Sequence, residues 1–279
     1  MKKALNLTIL SGMGISQQEA VPMIARAGFD GCFWVAQENT PLSSVAASVR
    51  EAGLSMQFIH APVSKVDTLW MDCPEGKDRL NSFLYWIRQC SENGIPVMVM
   101  HVWTKFAPIE PNLLGISRFQ ALLDAAQKEG VKLAFENAEV GKFLSAVRNN
   151  LWEHPAAGFC FDTGHELCYS DGKDQLAEFG DNLLCTHLND NMGRTGPEIT
   201  SADDCHMMPF DGIADWENIA GRLNRVHFHD TLTFELKMQN KPGRHTHDRY
   251  LSMEPEELLR LAFEKACRFE KLMTDRLAE

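Results

Sequence analysis

The sequence lacks the features that mark membrane-bound, secreted or nucleic-acid-binding proteins. No stretch approaches the roughly 20 apolar residues of a membrane-spanning helix. The first residues, Met-Lys-Lys-Ala-Leu-Asn-Leu-Thr, contain no apolar run long enough for a signal peptide. An excess of 38 Asp and Glu over 27 Lys and Arg gives a net charge of −11. Because phosphate binding usually needs a basic face, we expect neither a nucleic acid nor a membrane as partner.

Paired cysteine motifs are also missing. The chain has 8 cysteines, and none of them forms a C-x-x-C pair. Three of them, Cys32, Cys160 and Cys185, lie in strand-like apolar runs, where a free thiol behaves as a small hydrophobic side chain. This usage predicts reduced thiols and a cytoplasmic protein.

What the sequence does contain is a regular alternation of strand-like and helical segments. The expected strands are Ala4–Leu10, Gly31–Ala36, Leu54–His60, Pro96–Trp103, Val131–Asn137, Gly158–Thr163, Leu183–Asn189 and Thr231–Lys237. The expected helices are Ser16–Ala27, Ser43–Ala52, Glu75–Asn93, Asn112–Glu129, Phe143–Leu151, Asp174–Phe179, Asp215–Leu223 and Glu254–Leu277. Glycines end several helices just before the next strand, as C-cap residues do.

Strands that alternate with helices indicate βαβ units and a parallel sheet. Eight such units predict an α/β fold of the (β/α)₈ TIM-barrel type, and the length of 279 residues suits one barrel. A doubly wound open sheet is less favoured, since no G-x-G-x-x-G follows the first strand. No linker or low-complexity tract is evident, so we expect a single domain over residues 1–279.

Polar side chains with metal-binding chemistry stand at the ends of the expected strands. They are His60, His101, Glu136, Asp162, His165, His187 and Glu235, with Asp204 and His206 in the long loop after strand seven. The carboxyl ends of all barrel strands meet at one face, so these side chains should converge. Carboxylates combined with neutral imidazole suit a divalent cation such as Mn, Mg, Co or Zn.

The two glutamates are the most informative of these residues. Glu136 and Glu235 lie within the apolar contexts Phe-Glu-Asn and Phe-Glu-Leu, and a buried carboxylate needs a cation or an ion pair. Lys237 and Arg26 are the alternative ion-pair partners. A lone histidine is more often a loop or core residue than a ligand. On that basis we expect solvated loops, and no role in the site, for His227, His229, His245 and His247.

Four motifs carry a resemblance to a known superfamily. They are F-D-T-G-H at 161–165, T-H-L-N-D at 186–190, H-M-M-P-F-D-G at 206–212 and F-E at 234–235. The chain resembles the xylose-isomerase-like TIM barrels, the sugar isomerases and epimerases that also include endonuclease IV.

The resemblance implies a specific site. One divalent metal ion would be held by Glu136, Asp162, His187 and Glu235, and Glu136 and Glu235 would act as acid and base. The resemblance places four histidines near the substrate: His165, His206, His60 and His101. The comparison with endonuclease IV implies three zinc ions on nine matching positions, which adds Asp204 as a possible further ligand. One metal ion is the expectation, and up to three zinc ions stay open.

The expected activity is isomerisation or epimerisation of a sugar or polyol through an enediolate. Three alternatives stay open: a dehydratase acting on an inosose-like ring, a three-zinc phosphodiesterase, and a non-catalytic sugar-binding barrel. No glycine-rich phosphate cradle is evident, which favours a substrate without phosphate. The helix Glu75–Asn93 is a candidate surface for a homo-oligomer, although its apolar stripe is equally explained by packing on the barrel.

Overall fold

A computed structural model describes residues 1–275, and its centre is one sheet of eight parallel strands. The strands are β1 (Lys3–Asn6), β2 (Gly31–Val35), β3 (Ser55–His60), β4 (Val97–Met100), β5 (Lys132–Glu136), β6 (Ala157–Asp162), β7 (Leu183–His187) and β8 (Leu232–Phe234). Neighbours in the chain are neighbours in the sheet, and β1 pairs with β8. A parallel bridge between Leu188 and Phe234 joins the end of β7 to β8. The predicted (β/α)₈ TIM barrel is therefore confirmed.

Helices connect the strands around the outside of the barrel. They are α1 (Gln17–Ala27), α2 (Leu42–Glu51), α3 (Pro74–Glu92), α4 (Leu113–Glu129), α5 (Gly141–Leu151), α6 (Thr163–Tyr169), α7 (Gln175–Phe179), α8 (Trp216–Arg225) and α9 (Pro255–Asp275). The expected end of the last helix, Leu277, lies outside the described residues. The helix α6 was not predicted, and it begins directly after β6.

The local signals at the helix ends are confirmed. The Ser16 side chain accepts a hydrogen bond from the Glu19 main chain and the Glu19 side chain accepts one from the Ser16 main chain, which completes the capping box of α1. Gly28 ends the same helix in the left-handed conformation, with φ of 104°. Since such a φ favours glycine, this residue sets the turn from α1 into β2.

The first strand is shorter than expected. The sequence predicts a strand to Leu10, but β1 ends at Asn6, whose carbonyl accepts the Ile9 main-chain N–H in a turn. The wholly buried Asn6 side chain bonds the main chain of Leu236, just beyond β8, through Nδ2–O and N–Oδ1 contacts of 2.8 Å each. The Asn6 amide thus replaces the strand pairing that a longer β1 would have supplied.

Apolar side chains fill the space inside the barrel below the strand ends. This inner cluster contains Phe33, Phe58, Val99, Ala134, Cys160 and Cys185. The ring of Phe33 stacks on Phe58 at 4.6 Å and on the imidazole of His187 at 4.9 Å between ring centroids. The packed interior therefore supports a polar layer that lies directly on top of it.

All 8 cysteines are free thiols in the structure. No helix within residues 1–275 combines the length and the apolar character that crossing a membrane would require.

Candidate metal centre

Nine buried side chains converge above the inner cluster, at the carboxyl ends of the strands. His60, Glu136, Asp162 and His187 are the last residues of β3, β5, β6 and β7, while His101 and Glu235 directly follow β4 and β8. His165 lies in the first turn of α6, not at the end of a strand as expected. Asp204 and His206 lie in the loop after β7. All nine side chains are buried, none with more than 8% of the residue exposed.

These nine residues form three groups whose donor atoms lie within 4.8 Å of one another. The groups are His60, His101 and Glu136; Glu136, Asp162, His187 and Glu235; and His165, Asp204 and His206. The second group contains the four residues that the sequence proposed as metal ligands. The structure therefore brings the proposed ligands together, and it places the other histidines and Asp204 directly around them.

Glu136 belongs to two of the groups because its two oxygens face opposite sides. Oε2 lies 3.0 Å from His60 Nε2 and 3.2 Å from His101 Nε2. Oε1 lies 2.9 Å from His187 Nδ1 and 3.2 Å from His165 Nδ1. A carboxylate in this position is able to bridge two cations.

His187 stands between the two glutamates. Its Nδ1 lies 2.9 Å from Glu136 Oε1 and 3.2 Å from Glu235 Oε2, and the nearer Asp162 oxygen is 3.9 Å away. Four donors from four strand ends thus surround one point, which suits a single divalent cation.

The third group lies toward the loop after β7. His206 Nε2 is 2.9 Å from Asp204 Oδ2, and His165 Nε2 is 3.6 Å from the same oxygen. The backbone of His206 has a φ of 51°, in the left-handed region that non-glycine residues seldom adopt. This conformation accompanies the orientation of its ring toward the site.

Two asparagines that the sequence analysis did not assign hold Asp162 in place. Asn189 Nδ2 donates to both Asp162 oxygens, at 3.1 and 3.0 Å. The Asn137 side chain donates to the Asp162 carbonyl and accepts from its N–H, both at 2.8 Å. Each asparagine lies close behind a proposed ligand in the chain, in Glu-Asn and His-Leu-Asn, and that adjacency is the signal that could have identified it. Partners of this kind fix the orientation of ligands.

Gly164 leaves the space that Asn189 occupies. A Cβ at this position would lie 1.9 Å from Asn189 Oδ1 and 2.4 Å from Asn191 Nδ2. The glycine of the F-D-T-G-H motif is therefore required by close packing, and the packing partner is the side chain that orients Asp162.

The charges in the site act strongly on one another. Burial alone raises the pKa of Glu136, but His187 and His101 outweigh it and hold that pKa well below its usual value. Burial lowers the pKa of His187, yet Glu136 and Glu235 raise it to about 10. Burial likewise raises the pKa of Glu235, and His206 and His187 lower it to about 2. Without a cation, this is a network of carboxylates and protonated imidazole. A divalent cation would displace those protons on binding.

The donor set fits divalent cations. His187 Nε2, His101 Nδ1 and Asp204 Oδ1 are buried without a hydrogen-bond partner among the described residues. Carboxylate and imidazole donors in this ratio suit Mn, Co or Zn. The number of ions bound stays a prediction, with one for the central group and up to three if all groups are filled.

A cavity of about 430 Å³ opens onto this centre. His60, His101, His165, His206, Asp204 and Glu235 line it, whereas Glu136 is wholly buried and lies beneath them. A volume of this order suits a small molecule. Lys237, Glu139 and Tyr169 also line the cavity, although sequence reasoning assigned none of them to it.

The structure bears on the expectations for three single residues: His247, Arg26 and Lys237. His247, expected in a solvated loop, is wholly buried, and burial lowers its pKa to about 4. Arg26 pairs loosely with Glu256 on the surface, so it is not a partner for the buried glutamates. The Lys237 ammonium makes no ion pair within 4.0 Å in residues 1–275, although Glu235 and Asp204 act on its charge.

Comparison with known proteins places these features in a family. A sequence profile described as xylose isomerase-like TIM barrel matches residues 21–261. An uncharacterized protein, y4fM from Sinorhizobium fredii, is 27% identical in an alignment 261 residues long, which covers 79% of this chain and 81% of the relative.

Solved structures share the fold at low identity. A D-psicose 3-epimerase from Clostridium cellulolyticum, solved with D-tagatose, has a TM-score of 0.76 at 12% identity, over 98% of this chain and 99% of the other. The IOLI protein with a bound zinc atom has a TM-score of 0.76 at 17% identity, over 99% of both chains. The chain spans only 44% of a fusion of a xylose isomerase-like barrel with 4-hydroxyphenylpyruvate dioxygenase, which it matches over 100% of its own length at 15% identity and a TM-score of 0.75. On the profile match, the chain belongs to the xylose isomerase-like TIM barrel family.

Proposed function

We propose that this protein is a divalent-metal-dependent isomerase or epimerase of a sugar or polyol. The observation that carries the proposal is the central group of four donors, Glu136, Asp162, His187 and Glu235, at the floor of a cavity of small-molecule size. Similarity of fold to a D-psicose 3-epimerase and to the zinc-bound IOLI protein supports the same reading.

The four donors would hold the cation, which would supply Lewis-acid stabilisation of negative charge on two adjacent substrate oxygens. Glu235 lines the cavity, so we assign to it the removal of a proton from the carbon next to a carbonyl. The resulting enediolate is reprotonated on the same carbon in an epimerase and on the neighbouring carbon in an isomerase. General acid–base help of this kind contributes roughly 10²–10⁴-fold to the rate.

Two further roles follow from position. We assign His165 and His206 to hydrogen bonding with substrate oxygens, because both rings line the cavity beside Glu235. Glu136 is the second acid–base group of the proposal. Because Glu136 is buried beneath the cavity, its proposed role as a metal ligand is better supported than its proposed role as an acid–base group.

A second function is favoured by one specific observation, the sharing of Glu136 between two of the three donor groups. Three cations on these groups would create a strongly positive site. Such a site suits hydrolysis of a phosphoester, in which clustered metal ions stabilise the attacking and leaving oxygens. The acidic chain, with its net charge of −11, argues against DNA as that substrate.

Solvent-exchange measurements test the main proposal. The metal-loaded protein is incubated in D₂O with a panel of ketoses, aldoses and inososes that includes phosphate esters and sugar acids, and deuterium on carbon is followed by NMR. We expect incorporation next to the carbonyl of at least one sugar, together with a new stereoisomer or positional isomer. Hydrolysis of a phosphoester without carbon-bound deuterium would instead support the second function and overturn the first.

A further inference from the structure

The segment after β8, residues 237–249, is basic in an otherwise acidic chain. It contains Lys237, Lys241, Arg244 and Arg249 against one acidic residue, Asp248. The segment begins at the cavity, since Lys237, Met238 and Gln239 all line it. A basic side chain at a cavity attracts anions, even where the protein as a whole is acidic.

Three of the four basic side chains already have acidic partners. Arg244 forms an ion pair with Asp203, and Arg249 forms one with Asp211. Lys241 Nζ lies 4.0 Å from Asp204 Oδ2. These pairs hold the segment against the loop after β7. Lys237 is the basic residue of the segment that has no such ion pair among the described residues.

The Lys237 side chain lines the cavity, and no hydrogen bond or ion pair within 4.0 Å is present for its ammonium in the part of the chain that the structure describes. Glu235 and Asp204 act on its charge from farther away. The Lys237 side chain is partly buried at the wall of the cavity, and its ammonium lacks an acceptor among the described residues. A ligand in the cavity would supply that acceptor.

The direction of the Lys237 side chain is set by the strand geometry around Leu236. Leu236 is buried in the core and is held on both sides by the Asn6 amide, at 2.8 Å in each hydrogen bond. Since alternate residues of an extended segment face opposite sides, Glu235 and Lys237 share the side opposite to Leu236. The proposed base and the ammonium therefore face the same cavity.

We propose that Lys237 binds an anionic oxygen group of the substrate, a carboxylate or a phosphate, and so restricts the substrates to sugar acids or sugar phosphates. This inference rests on the proposed function, in which the three ligand carboxylates, Glu136, Asp162 and Glu235, would be engaged by the cation and so would be unable to pair with Lys237. Hydrogen bonds from an ammonium to an anion are roughly twice as strong as neutral ones.

Another role for Lys237 predicts different behaviour. If its charge served only to keep Glu235 ionised, removal of that charge would change the pH dependence of turnover and would leave anion binding unchanged. Anion affinity therefore separates the two roles.

The first test measures anion binding without any substrate. Inorganic phosphate and acetate are titrated separately into the metal-loaded protein by isothermal calorimetry, after free metal has been removed. We expect Lys237→Met to weaken binding of the preferred anion at least tenfold, and Lys237→Arg to stay within about threefold of the wild type. The matched control is Lys142→Met, because Lys142 pairs with Glu110 far along the chain from this segment, and it should change the affinity less than twofold.

Each result decides the inference. A preference for phosphate indicates a sugar phosphate, and a preference for acetate indicates a sugar acid. Unchanged affinity in Lys237→Met, with the metal content of the wild type, would mean that the anion binds to the metal alone and would overturn the inference. Failure of the wild type to bind either anion would overturn it too.

A second test separates this inference from the proposed function. Deuterium exchange is compared for a ketose and its phosphate ester in wild type and Lys237→Met. We expect a higher KM for the ester alone, with the kcat for both substrates unchanged. Anion binding through Lys237 in a protein that exchanges no carbon-bound proton would contradict the isomerase proposal while leaving the anion site in place.

Discussion

The side-chain amide of Asn6 forms two hydrogen bonds of 2.8 Å with the main chain of Leu236, one as donor and one as acceptor. This contact joins the end of β1 to the segment that carries Glu235 and Lys237. The wholly buried Asn6 side chain thus fixes the segment in which Glu235 and Lys237 line the cavity.

Replacing Asn6 should destabilise the fold. Asn6→Leu keeps the volume but leaves the N–H and carbonyl of Leu236 buried without partners, so we expect a loss of about 2–4 kcal/mol in the free energy of unfolding. Urea denaturation measures it. The control is Asn150→Ala, which removes only an exposed bond to the Ala146 carbonyl and should cost less than about 0.5 kcal/mol. Equal losses in the two variants would contradict the assigned role of Asn6.

Gly164 offers a way to weaken the proposed metal site without changing a ligand. In Gly164→Ala, the added Cβ would displace Asn189, whose amide orients both oxygens of Asp162. Loss of such a partner typically weakens metal binding 10–100-fold, and we expect about tenfold. The control is Gly196→Ala, since a Cβ there meets nothing within 4 Å. Calorimetric titration with Mn²⁺ or Zn²⁺ gives the comparison, and an unaltered affinity in Gly164→Ala would refute the role of Asn189.

Substitution of Glu235 tests the proposed base. Glu235→Gln keeps an oxygen donor but removes the proton acceptor, so exchange of carbon-bound protons should fall at least 10²-fold at saturating metal. Glu178→Gln alters a carboxylate that contacts Ser145 outside the centre and should change the rate less than about twofold. Wild-type exchange in Glu235→Gln, with metal bound, would remove Glu235 from the chemistry.

Glu136 should behave differently, because it is wholly buried and belongs to two donor groups. In Glu136→Gln we expect metal binding to weaken by about 10-fold or more. We expect this loss of affinity to exceed any effect on the chemical step. If instead metal affinity is unchanged and exchange is lost, Glu136 acts mainly as the second acid–base group.

The buried His247 predicts acid sensitivity of the fold. Burial holds its pKa at about 4, below the value of 6.5 expected in the unfolded chain. Between these values the unfolded state binds more protons, so stability falls as the pH falls through this window. The linked loss from pH 7 to pH 5 is about 2 kcal/mol. In His247→Gln this component should be absent, and an identical pH dependence of unfolding in the two proteins would contradict it.

Much of the fold could be predicted because the alternation of strand-like and helical segments and the glycines at helix C-caps are local signals. The strand ends bearing Glu136, Asp162 and His187 were placed correctly, since each closes an apolar run. The helix α6 was missed because it starts within the F-D-T-G-H motif, with no loop to separate it from β6. The early end of β1 depends on a contact between Asn6 and a residue 230 positions away, which no local pattern reveals.

Barrel geometry predicted that the site residues converge. It did not predict which residues form hydrogen bonds with them. Asn189 and Asn137 look like ordinary loop residues until the fold places them against Asp162. His247 resembles a polar loop residue in sequence, and only the folded structure shows that it is buried. The roles of the ligands and of the acid–base pair stay predictions.

Metal binding by chelator-stripped protein tests the central claim most directly. Mn²⁺, Co²⁺ and Zn²⁺ are titrated calorimetrically into the wild type and into Asp162→Asn, and metal per chain is counted by elemental analysis. We predict one tightly bound ion per chain, lost or strongly weakened in Asp162→Asn, with protons released on binding. Three zinc ions per chain would favour the phosphoester function instead. No uptake of any of these metals would contradict a metal-dependent isomerase or epimerase.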